Sequence, residues 1–203
     1  MRYFNIAALY LQLVFFTFTL VQKDVNAASL EKGQKSGCYL NEIGIGSGYS
    51  SYQLKKEPHD LTVYPLFMRI GFNINSLAGM EGCTNTLQLI LEPFVNSISY
   101  PEAGVETGCS AGLRYLYNVS VPLNLYMEGS VAPMFLSIQT HELGNPAFNF
   151  LTQLGLGLQY NVTGRTALFT GYRFRHISHG GFVKAPNTGI NSNAVVAGFS
   201  WLY

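Results

Sequence analysis

Residues 148–160, Phe148-Asn149-Phe150-Leu151-Thr152-Gln153-Leu154-Gly155-Leu156-Gly157-Leu158-Gln159-Tyr160, alternate between two kinds of side chain. Phe150, Leu154, Leu156 and Leu158 share one parity; Gln153, Gly155, Gly157 and Gln159 share the other. Successive side chains of an extended strand point to opposite faces, so the segment predicts a strand with one greasy face and one polar or small face. Seven more segments follow the same rule, giving eight near 41–50, 61–75, 86–98, 104–118, 121–132, 148–160, 164–178 and 190–203. They leave no room for a second domain.

The charged residues decide which face meets water. Tyr64, Leu66, Met68, Ile70 and Phe72 oppose Arg69, Gly71 and Asn73; Leu87, Leu89, Leu91 and Val95 oppose Gln88 and Glu92. Val105, Leu113, Tyr115 and Tyr117 oppose Glu106, Ser110 and Arg114; Leu123, Leu125 and Met127 oppose Asn124, Tyr126 and Glu128. A soluble sandwich would need far more charge than the 11% present, against about 25% in an ordinary soluble domain. A lipocalin-like carrier would need an apolar interior, contrary to the parity of Arg and Glu. The expected fold is an all-β, eight-stranded antiparallel transmembrane barrel of the bacterial outer membrane, greasy side to lipid and Arg69, Glu92, Glu106, Arg114, Glu128, Arg173 and Arg175 inside. The ending Phe199-Ser200-Trp201-Leu202-Tyr203 suits a terminal barrel strand, because aromatic rings favour the membrane interface.

Arg2, the apolar run from Phe4 to Val21 and the small-residue site Val25-Asn26-Ala27 predict an export signal cleaved after Ala27, with 28–203 as the barrel domain. The net charge of +1 and the lack of a basic run leave no footprint for nucleic acid. Cys38, Cys83 and Cys109 allow at most one internal bridge. The strand order brings Cys38 and Cys83 to one rim, favouring that pair and leaving Cys109 as a lipid-facing thiol.

Asn118-Val119-Ser120 and Asn161-Val162-Thr163-Gly164 read as tight turns, whereas 133–147 and 179–189 read as long loops. Short turns belong on the periplasmic side. The seventh strand then runs outward and carries His176 and Ser178 to the outer leaflet, where lipopolysaccharide resides. Both share parity with Leu168, Thr170, Tyr172 and Phe174, opposite Arg173 and Arg175. A serine beside a histidine supplies a nucleophile and its base, and a lipid-facing pair points to a lipid ester. His179-Gly180-Gly181 can expose backbone N–H groups to an oxyanion. Asn191, of one parity with Val195, Ala197, Phe199 and Trp201, emerges beside the pair on the last strand. His141 and Glu142 read as hydrated loop, with replacement of a missing orienting acid as the alternative, and Lys184 either meets a lipid phosphate or is solvated.

The run Tyr172-Arg173-Phe174-Arg175-His176-Ile177-Ser178-His179-Gly180-Gly181, followed by Lys184-Ala185-Pro186-Asn187-Thr188-Gly189-Ile190-Asn191-Ser192, resembles the PagL-type lipid A deacylase family. The resemblance implies an outer-membrane serine esterase acting on lipid A of lipopolysaccharide. It implies Ser178 as nucleophile, His176 as general base, and Asn187 with the Gly181 amide as oxyanion donors, and it calls for no metal or cofactor. Asn191 stands where the family carries an orienting glutamate, and His179 where an asparagine usually follows the nucleophile. A non-catalytic small barrel with a structural or adhesive role is therefore the alternative. Outer-membrane lipids surround the barrel under either reading, and monomer and homodimer remain open.

Overall fold

The computed structural model describes residues 37–53, 60–100, 102–144, 148–182 and 184–203. The export signal expected over 1–27 lies outside these residues. The strands are β1 (Tyr39–Gln53), β2 (Asp60–Tyr64), β3 (Leu66–Asn73), β4 (Thr86–Tyr100), β5 (Gly104–Ser120), β6 (Leu123–Leu136), β7 (Phe148–Thr163), β8 (Thr166–Ser178) and β9 (Ile190–Leu202). Every neighbouring pair is antiparallel, and β9 returns to pair with β1 from Glu42↔Leu202 to Tyr52↔Ser192, closing the wall.

β2 and β3 form one stave, since both lie between β1 and β4. The break falls at Pro65, which has no N–H to give the ladder. Side chains from both neighbours bridge it: Ser47 Oγ donates to the Pro65 carbonyl at 2.7 Å, and Leu66 N–H donates to Asn96 Oδ1 at 3.3 Å. The barrel thus has the eight staves expected, with nothing left as an open edge.

The outer surface carries exposed Leu113, Leu125, Met127, Val131, Leu154, Leu156 and Val195, with Met127 64% and Leu156 63% accessible. Exposed Tyr117, Tyr160, Trp201 and Tyr203 ring the end that bears the C-terminus, and Tyr49, Tyr64, Tyr100 and Phe148 stand toward the opposite end. An aliphatic band between aromatic girdles is the surface of a barrel embedded in lipid.

Inside, Glu42, Glu92, Glu106 and Glu128 meet Arg69, Arg114, Arg173 and Arg175, so the charges of these eight cancel. Arg69 Nε lies 2.7 Å from Glu92, Arg114 Nη1 2.8 Å from Glu42, Arg173 Nε 2.7 Å from Glu128 and Arg175 Nη2 2.6 Å from Glu106. Glu42 joins the set although its stretch of sequence hid it: its inward companions are Gly44, Gly46 and Gly48, which leave no polar alternation to read. Toward the loop-bearing rim the interior turns apolar, with Leu61, Val63, Ile98, Leu136, Leu143, Leu151, Ile177 and Ile190 buried. One cavity, of about 20 Å³, lies between this plug and Glu92, Arg173 and Arg175, and it has room for about one water. The described interior is a packed core, not a channel.

The turns correct the expectation. Asn118–Ser120 and Asn161–Thr163 remain in strands and carry β-bulges, and the chain reverses at 121–122 and 164–165. Asn and Thr tolerate the irregular backbone of a bulge as readily as that of a turn, so their signal fell two or three residues early. The segment 74–85, at the same rim, is longer than the alternation of short and long connections implied. It docks by Ser76, whose Oγ accepts from Gly37 N–H at 2.7 Å and donates to the Gly37 carbonyl at 2.9 Å. Cys38 and Cys83 share this rim as expected, yet both are free thiols; Ser76, not Cys83, makes the contact. Cys109 is likewise free and exposed.

Candidate active site

The interior charges decide which way His176 and Ser178 face. Arg173 and Arg175 are fixed inward by Glu92, Glu128 and Glu106, so the alternate residues Tyr172, Phe174, His176 and Ser178 must point at lipid. A slip of one residue would put two guanidinium groups in the bilayer. His176 and Ser178 are half-buried in the outer wall.

The β8–β9 register sets His176 opposite Asn191. His176 Nδ1 lies 2.6 Å from Asn191 Oδ1. An amide oxygen only accepts, so the bond requires the proton on Nδ1 and leaves Nε2 with its lone pair on the opposite edge of the ring. Gly189 gives the ring its room. Its φ is +69°, and a Cβ there would sit 2.6 Å from His176 Cε1.

Ser178 ends β8 opposite Phe150. Among the described residues its hydroxyl makes no hydrogen bond to His176, so the structure joins His176 to Asn191 and leaves Ser178 out of that bond. Phe150 heads an aromatic group flanking the serine. Its ring lies 5.0 Å from Phe148 and 5.8 Å from Phe182, which is 80% exposed.

Beyond Ser178 the chain reverses over His179–Phe182, with Phe182 N–H donating to the His179 carbonyl at 3.0 Å and φ of +61° and +80° at Gly180 and Gly181. Gly181 is exposed. His179 N–H donates to Asn187 Oδ1 at 3.3 Å, and Asn187 is exposed. The His179 ring itself turns inward, buried, with Nε2 3.1 Å from the Pro186 carbonyl.

In the loop before β7, His141 is exposed as expected, but Glu142 departs from the hydrated surface expected of it. Leu143 and Glu142 are buried, Thr140 and Gly144 form a bridge, and the Glu142 carbonyl accepts Thr188 N–H at 3.0 Å and Thr188 Oγ1 at 3.3 Å. This turn therefore clamps the strip that carries Asn187 and Gly189. Ile138 and Leu143, apolar residues inside a loop, were the signal for a docked segment. Lys184 is exposed. Among the described residues, no three His, Cys, Asp or Glu side chains gather to hold a metal ion.

A half-buried serine, a histidine held by an amide oxygen and exposed amides at Gly181 and Asn187 are the kinds of group that acyl transfer uses. The model of a known family, described as lipid A 3-O-deacylase (PagL), matches residues 83–200, from the turn before β4 through the whole of this site. No curated protein matches. Among solved structures, neisserial surface protein A superposes with a TM-score of 0.59 at 15% identity, over 83% of this chain and 100% of that one. The outer-membrane enzyme PagL superposes with a TM-score of 0.56 at 14% identity, over 77% of this chain and 97% of that one. At such identities these two likenesses establish the barrel, and the family match extends to the strands and loop that hold the site: the chain belongs to the PagL lipid A 3-O-deacylase family.

Proposed function

We propose that this protein is an outer-membrane esterase that removes an ester-linked acyl chain from lipid A, with Ser178 as nucleophile and His176 as its base. The observation that carries the reading is the His176–Asn191 bond on the lipid-facing wall: it holds the imidazole in the tautomer whose Nε2 can take a proton. Ser178 Oγ attacks the ester carbonyl carbon as its proton passes to Nε2. The resulting oxyanion is met by Asn187 Nδ2 and the Gly181 N–H. Collapse breaks the bond to the sugar oxygen, which leaves with the proton from Nε2. Water then repeats the sequence on the acyl-serine, releasing the fatty acid and restoring Ser178.

The rim carrying 137–144, 179–182 and 184–189 faces outward, and a cleaved export signal delivers the chain to the membrane. Lipid A then reaches Ser178 sideways through the bilayer, with Phe148, Phe150 and Phe182 at the interface beside it. Asn191 orients the histidine without adding charge, so the imidazolium is stabilised less than beside a carboxylate, and turnover is slow for the family.

The test is lipopolysaccharide incubated with folded barrel in detergent and weighed by mass spectrometry. Loss of one acyl chain with the native protein, and none with Ser178→Ala, supports the reading. An unchanged mass from correctly folded protein leaves the second reading, a non-catalytic barrel. That reading draws on the missing Ser178–His176 hydrogen bond and the neutral Asn191.

A further inference from the structure

The strip Pro186–Thr188, which carries Asn187, is exposed and lies outside every strand, so something other than the ladder must fix it. Gly144 packs closely on Pro186: a Cβ there would stand 2.9 Å from Pro186 Cδ. From the interior comes His179, whose side chain the proposed reaction does not use. Parity sets its direction, since Ser178 points out of the wall and the next residue points in, where its ring is buried. Its N–H donates to Asn187 Oδ1 at 3.3 Å, and its Nε2 lies 3.1 Å from the Pro186 carbonyl. A carbonyl only accepts, so this second bond puts the proton on Nε2 and leaves the lone pair on Nδ1. His176, on the outer face, has the opposite arrangement, with Nδ1 bonded to Asn191 Oδ1. Across from His179, one step past the Phe150–Ser178 pair, stands Asn149, fully buried. Among the described residues neither His179 Nδ1 nor the Asn149 amide has a hydrogen-bond partner, and an amide hydrogen is what the lone pair lacks.

We propose that His179 is the positioning residue of the oxyanion site: its ring, braced by Asn149, holds the Pro186 carbonyl while its N–H holds the Asn187 amide. The proposal rests on the esterase reading of Ser178 and deepens it. Ser178 and His179 are consecutive, so one stretch of backbone carries the nucleophile outward and the anchor inward. The place of Asn187 is thereby set by the nucleophile's own neighbour, and any movement of the strand end carries nucleophile and donor together. Thr188, bonded to the Glu142 carbonyl, ties the next residue of the strip to the other loop. Without the imidazole, the strip loses one of the two bonds that tie it to the end of β8. An oxyanion donor is worth about 10²–10³ in kcat when it stands within hydrogen-bond reach of the developing charge, and it adds little to ground-state binding. A drift of the strip therefore lowers kcat and leaves KM almost unmoved.

Two measurements on the barrel in detergent micelles separate this role from the reading beneath it. The first reads the imidazole nitrogens of nitrogen-15-labelled protein by NMR in mildly alkaline buffer. It should find opposite tautomers, with the proton on Nδ1 in His176 and on Nε2 in His179. The second follows acyl release from lipopolysaccharide, with heat-modifiable gel mobility as the check on folding. His179→Leu should lower kcat about ten- to hundredfold with KM within about twofold. His179→Gln, whose side-chain amide donates from about the place of Nε2, should restore most of that loss. Folded His179→Leu with the native kcat, or an Nδ1–H tautomer at His179, overturns the anchor and leaves the esterase standing. If His179→Leu does not fold, His179→Gln decides: a folded variant near the native kcat supports the anchor, and one down about a hundredfold overturns it. No acyl release by the native barrel overturns the esterase reading and with it the part His179 plays in turnover; an Nε2–H tautomer at His179 then marks a rim contact alone.

Discussion

Gly189→Ala tests the geometry of the site without touching any group that does chemistry. The added Cβ would lie 2.6 Å from His176 Cε1 and 3.3 Å from Nε2, well inside the roughly 3.5–4.0 Å of an ordinary carbon contact. The φ of +69° adds a backbone penalty of about 1–2 kcal/mol for a residue with a side chain. The Glu142–Thr188 bonds hold the strip on one side and the β8–β9 ladder holds it on the other, so the imidazole is the part that must yield. Relieving the contact takes a ring shift of about 1 Å, enough to break the 2.6 Å bond to Asn191, and a misplacement of that size costs about a hundredfold in rate. The assay is release of fatty acid from lipopolysaccharide by the folded variant. The melting temperature should fall by only a few degrees, the worth of that backbone penalty, because the mutation sits at the rim, away from the ion-paired core. A Gly189→Ala protein as active as the parent would refute the role given to His176 and Asn191.

Asn191→Glu should raise the rate about tenfold or more, since a charged acceptor makes a hydrogen bond roughly twice as strong and stabilises the imidazolium; a merely structural barrel gains nothing. Arg175→Leu should destabilise the barrel by about 3–5 kcal/mol in urea unfolding, because it strands Glu106 in the interior. Thr188→Val keeps the backbone bond to Glu142 and loses the hydroxyl bond, so it should lower turnover several-fold with the melting temperature almost unmoved. Maleimide labelling of Cys38 and Cys83 in the folded, unreduced protein should reach both thiols; protection lifted only by reductant would reinstate a disulfide.

What the sequence made legible was parity, and what it hid was everything parity does not reach. Arg173 and Arg175 against Phe174 and His176 marked the two faces of β8, and burial follows that division. The same logic brought Asn191 to the correct face of β9, beside His176. Glu42 escaped because glycines occupy the rest of its inward row, and the break at Pro65 escaped because the greasy alternation continues across it. The turns at 121–122 and 164–165 were displaced because Asn and Thr serve bulges as well as turns. The clamp from Glu142 to Thr188 is a contact between residues 46 apart, made on a backbone carbonyl that carries no residue signature. Gly189 was visible as part of a turn, but its service to His176 depends on a ring packed against it from the adjacent strand.

The central claim is that Ser178 is a nucleophile activated by His176 on the lipid face. The most direct measurement is covalent labelling of the folded barrel with a long-chain alkyl fluorophosphonate, mapped by peptide mass spectrometry. The account predicts one adduct on Ser178, absent in His176→Ala and faster in Asn191→Glu. No adduct on Ser178 under conditions that label an ordinary serine esterase, or labelling indifferent to His176, would contradict it.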